Sequence, residues 1–94
     1  MSKESIKIRL DIDGYENKIS GLTTKIRNLK SDSQKRYKSI QDFTVSYLLT
    51  EETLRVIEEN NREASICEGQ IKTLQKKIKY KKEDLLLLDK REKK

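Results

Sequence analysis

The chain has 94 residues, 33% of them apolar and 40% charged, with a net charge of +6. It lacks His, Trp and Pro and has a single Cys, which argues against a His-based catalytic or metal site and excludes an internal disulfide or Cys-cluster metal site. So little apolar material suits helices with one narrow buried stripe, not a compact globule, and no apolar run reaches membrane-spanning length.

The first stretch, Ile6-Lys7-Ile8-Arg9-Leu10-Asp11-Ile12-Asp13, alternates apolar and charged residues. Period two is the strand pattern, so residues 1–12 read as a short extended arm, with a frayed helical start as the alternative. Asp13 followed by Glu16 forms a capping box, and a helix is predicted over residues 14–47. Its apolar positions run Tyr15, Ile19, Leu22, Ile26, Leu29, Ser33, Arg36, Ile40, Phe43 and Tyr47. Gaps of four and three alternate without a slip, as in a coiled-coil seam with two polar members.

A reversal is expected at residues 48–50. Thr50 is an N-cap type, Glu51 and Glu52 suit a positive helix end, and Leu49 and Leu54 occupy the staple positions. The alternative is one uninterrupted helix, because neither Gly nor Pro breaks this region. The second helix is predicted over residues 51–89, with a frayed tail at 90–94. Its seam is Ile57, Asn60, Ala64, Cys67, Ile71, Leu74, Ile78, Lys81, Leu85 and Leu88.

Folding at residue 49 sets Leu29 near Cys67, Ile26 near Ile71 and Ile19 near Ile78. It also sets Ser33 and Arg36 near Ala64 and Asn60, with Glu59 or Glu63 neutralising Arg36. A parallel homodimer would instead oppose each Arg36 to its own copy. The expected fold is an all-α, antiparallel two-helix hairpin. Apolar residues off the seam, at Val45, Leu54, Val56, Ile66, Leu86 and Leu87, imply that it docks into a larger helical bundle.

Charge is uneven: residues 1–50 carry +4, residues 51–71 carry −4 and residues 72–94 carry +6. Lys72, Lys76, Lys79 and Lys82 form a basic patch of the kind that holds phosphates, but with few aromatic residues interleaved for base stacking. A solvated face or an acidic protein partner is the simpler reading. Leu85-Leu86-Leu87-Leu88 is apolar all round a helix, so only two of the four can face the seam. The rest need cover, so this end, Leu85, Leu86, Leu87 and Leu88 together with Val56 and Ile66, is the candidate partner-contact surface. Cys67, on the seam, reads as a small buried thiol.

Tyr80 and Asp84 form a Y-x-x-x-D pair one turn apart on one helix face. With the chain length, the Ile-rich alternating start and the paired helices, this motif resembles the small helical-hairpin proteins of the type VII secretion system, a WXG-like family. The W-x-G turn of that family is absent here; the corresponding residues are Tyr47-Leu48-Leu49-Thr50. The likeness is therefore to the Trp-less accessory proteins that accompany LXG-type toxins as targeting chaperones. It implies a non-enzymatic, cofactor-free protein that binds helices of a client toxin or a sister protein and presents Tyr80 and Asp84 as an export signal. No signal-peptide pattern opens the sequence, so the expectation is synthesis in the cytoplasm and export, if any, without a cleaved leader. The residues themselves leave two alternatives, a basic coiled-coil nucleic-acid-associated protein and a homodimeric structural coiled coil.

Overall fold

The computed structural model describes residues 2–42 and 47–92. They form two helices, α1 (Lys3–Gln41) and α2 (Tyr47–Glu92). The helices pack along their length into an antiparallel hairpin of 72 × 15 × 15 Å.

α1 begins with the hydroxyl of Ser2, which accepts from the backbone N–H of Ser5 at 3.2 Å. It ends at Asp42, whose N–H donates to the carbonyl of Lys38 at 2.8 Å. Exposed Thr and Ser hydroxyls fold back onto the preceding turn, as Thr23 does onto the Ile19 carbonyl at 2.8 Å, so they cost the helices no unsatisfied group. Every described seam position predicted above is buried or half-buried. Ile12, Ile57, Ala64, Cys67 and Leu74 form the apolar core. Phe43, Val45 and the side chain of Tyr47 lie outside the described residues, as do residues 93–94 of the tail.

Three expectations are corrected. The N-terminal arm is helical, because an alternating run also contains two i, i+4 pairs. Ile8 and Ile12 turn inward and extend the seam with Ser5, whereas Ile6 and Leu10 remain exposed. Burying one pair along α2 satisfies the backbone within the helix, whereas a lone strand finds no sheet edge among the described residues.

The second correction concerns the reversal. Residues 48–50 belong to the first turn of α2, so Thr50 is helical and does not cap, and Thr53 Oγ1 donates to the Leu49 carbonyl at 2.8 Å. A cap signal is worth about 1 kcal/mol and is overruled by the alignment of a whole seam. The pairs Asp11–Lys81, Tyr15–Lys77 and Asp32–Asn60 are all centred on position 46. With a reversal at 49, Ile8 would fall opposite Lys90; centred on 46 it falls opposite Asp84, with which it borders a depression.

Third, the tail is helical to Glu92, with Lys90 and Arg91 complementing the negative end of the helix dipole.

The register moves by about one turn accordingly. Asn60 Nδ2 donates to Asp32 Oδ2 at 2.8 Å. Arg36 Nε donates to the same oxygen at 2.7 Å. Arg36 is thus neutralised within its own helix, since Asp32 lies one turn before it whatever the register. Glu63, expected to serve Arg36, pairs with Lys25 at 2.6 Å. Polar members of the two seams do meet, but through Asp32.

Candidate partner-binding surface

An antiparallel pair of seams leaves each helix two flanks, and like flanks come together across the hairpin. On one side Lys25 meets Glu63, and on the other Lys30 meets Glu68 at 3.4 Å. Glu63 lies one residue before Ala64 of the seam, and Glu68 one residue after Cys67. These pairs sort every outward residue of α2 by its offset from the seam.

Val56, Ile66, Tyr80, Asp84 and Leu87 each precede a seam residue, so all five lie on the Glu63 side. Tyr80 and Asp84 are both exposed, one turn apart. Asp84 borders a shallow depression of about 220 Å³ with Glu4, Ile8, Leu87, Leu88 and Arg91, where α1 begins and α2 ends. Val56 lines a second depression, of about 410 Å³, with Arg36, Leu49, Glu52 and Thr53. Lys72, Lys79, Lys82 and Leu86 lie on the Glu68 side, and Lys76 projects from the outward ridge between. All four lysines are exposed. The basic patch and the Tyr80–Asp84 pair therefore occupy different sides of α2.

In the leucine run, Leu85 and Leu88 turn into the seam, while Leu86 and Leu87 are 63% and 59% exposed. Exposed Ile6 and Leu10 stand at the same open end of the hairpin on α1.

Sequence reasoning missed one concavity. A groove of about 810 Å³ runs between the helices on the Glu63 side, lined by Lys18, Gly21, Leu22 and Lys25 of α1 and by Ile66, Gly69, Gln70, Thr73, Leu74 and Lys77 of α2. The signal was the position of each of Lys18, Gly21 and Lys25 one before a seam residue, which places them beside Gln70, Thr73 and Lys77 once the chain reverses. A Cβ added at Gly21 or Gly69 would meet nothing within 4 Å.

Electrostatics here are those of a solvated surface. The Glu63 carboxylate holds the exposed Lys25 ammonium above its usual range, first by hydrogen bond and then by charge. Arg36 and then Asn60, both hydrogen-bonded to it, hold the Asp32 carboxyl below the usual carboxylate range. Lys81, a seam lysine, extends its ammonium outward to Asp11 at 3.3 Å. Lys77 Nζ stands 5.8 Å from the centroid of the Tyr15 ring.

Among the described residues no cluster of His, Cys, Asp or Glu is placed to hold a metal ion, and no helix is long and apolar enough to cross a membrane. The arrangement offers apolar contact and charge pairing. Compared with protein-family models, curated proteins and solved structures, the chain matches none of them.

Proposed function

We propose that this hairpin is a non-enzymatic partner-binding protein, a targeting factor or chaperone for a toxin exported by type VII secretion. The observation that carries the proposal is the open end of the hairpin. Leu86 and Leu87 face water on opposite sides of α2, at the same end of the hairpin as exposed Ile6 and Leu10 of α1. A two-helix seam has no third element to cover them, so a helix of another protein supplies the cover. The Tyr80–Asp84 pair supports the narrower assignment: a ring and a carboxylate stand one turn apart, both exposed, on the side of α2 that carries Leu87. This combination matches the Y-x-x-x-D signal of the secretion family that the sequence resembles. Before export the complex would form in the cytoplasm.

Tyr80→Ala tests the assignment. The variant should keep the helical signal and melting temperature of the parent, because Tyr80 is outside the seam. Export of a co-expressed LXG-type client should fall about tenfold or more, the scale of losing one aromatic anchor. Normal client export with this variant removes Tyr80 from the mechanism.

A second reading, nucleic-acid association, draws on the four exposed lysines and the +6 charge of residues 72–94. A salt titration separates the two. Phosphate binding weakens steeply with added salt, whereas a complex built on leucine contacts persists.

A further inference from the structure

We infer that the groove between α1 and α2 is the seat of an acidic amphipathic helix from a partner protein. This inference rests on the partner-binding role proposed above and specifies the chemistry of the partner.

The floor of the groove is apolar: Leu22 of α1 and Leu74 of α2 both line it, and Ile66, 57% exposed, stands at its edge. Gly21 and Gly69 keep it open, since no atom occupies the space where their side chains would be. Along α2 the lining runs from Ile66 to Lys77, a length of about 16 Å at 1.5 Å per residue, or three helical turns. A third helix laid there completes a three-helix bundle and covers Leu22, Ile66 and Leu74 together.

Charge selects the occupant. Lysines stand on both walls, Lys18 and Lys25 on α1 and Lys77 on α2. Lys25 already reaches Glu63, and Lys77 stands over Tyr15, whereas Lys18 has no ion-pair partner among the described residues. A docked helix therefore meets positive charge on either side of its apolar stripe. Lys18 and Lys25 are seven residues apart, so carboxylates two turns apart on one flank of the partner reach both. A second copy of this chain fits less well, because it would bring the same three lysines to the rim and two carboxylates of its one acidic stretch, Glu63 and Glu68, are already paired with Lys25 and Lys30.

The probe is a synthetic helical peptide of about 20 residues, with Leu at i, i+3, i+4 and i+7 spacing and Glu on both flanks, and a twin with Lys in place of Glu. Both are titrated against the full chain by fluorescence anisotropy. The Glu peptide should bind, and the Lys twin should bind at least about tenfold more weakly. Gly21→Gln should raise the melting temperature by a few degrees, by replacing a helical glycine, yet weaken the Glu peptide about tenfold by filling the groove. Lys18→Glu combined with Lys77→Glu should reverse the preference between the peptides.

Equal binding of the two peptides overturns the inference, as does full affinity in Gly21→Gln. A hairpin dimer that Gly21→Gln dissociates also overturns it, and gives the groove to a second copy. Peptide binding needs no secretion machinery, so it is separable from the export assay. If Tyr80→Ala blocks client export while the peptides ignore the groove, the targeting role stands and the groove assignment falls.

Discussion

The seam has two regions of different character. From Ile12 to Leu29, α1 presents Ile12, Tyr15, Ile19, Leu22, Ile26 and Leu29, and α2 answers with the buried Ala64, Cys67 and Leu74. Around Asp32 the interior becomes polar: Asp32 accepts from both Arg36 and Asn60, and the buried Ser33 Oγ finds no hydrogen-bond partner among the described residues. The apolar region provides stabilisation without choosing between registers, because one aliphatic residue packs against another in many alignments. The polar region adds little stability and specifies alignment, since Asn60 reaches the Asp32 carboxylate in one register only. The contrast teaches that affinity between the helices and the choice of their alignment are held by separate residues.

Ile26→Asp should break the apolar region. An unpaired charge between the helices costs about 3 kcal/mol or more, comparable with the whole stability of about 3–5 kcal/mol expected of a scaffold this small. Circular dichroism should show lost helicity at room temperature; unchanged melting would contradict the seam. Ser33→Ala sharpens the comparison from the other side. Removing a buried hydroxyl without a partner should stabilise the hairpin by about 1 kcal/mol, seen as a higher denaturation midpoint.

Gly14→Ala should add a little less, about 0.8 kcal/mol, because Gly14 is an interior helical residue with open space at its Cβ position. No gain would mean that residues before it are not helical.

The smallest effect is electrostatic. Asp32 is held below its usual range in the folded chain, so its contribution is complete above the unfolded value of about 4. That contribution is lost as pH falls through the lower folded value. Asp32→Asn should flatten this acid side of the stability profile and leave the alkaline side unchanged. An identical acid slope in the variant would remove Asp32 as its source.

The three-and-four spacing made the hairpin and its seam legible from Tyr15 to Leu88, including which two leucines of the run face inward. The first heptad was not, because Ile6, Ile8, Leu10 and Ile12 satisfy a strand and a helix equally until α2 is known to lie beside them. The position of the reversal was also illegible. Thr50, Glu51 and Glu52 make a plausible helix start, but a local cap is weak beside the alignment of many seam residues. The groove depended on register in turn. Lys18 and Gly21 line one groove with Ile66 and Lys77 only after the reversal is correctly placed. The basic patch shows the limit of spacing alone, since helix period grouped its lysines but not which side of the hairpin each would occupy.

Cys67 is 3% exposed, the sole thiol of the chain, and sits midway along α2. A sulfhydryl reagent can reach it only when the helices part, so its alkylation rate is a built-in stopwatch for separation of the two halves. A ligand that clasps the hairpin shut would slow that clock, and one that inserts between the helices would quicken it.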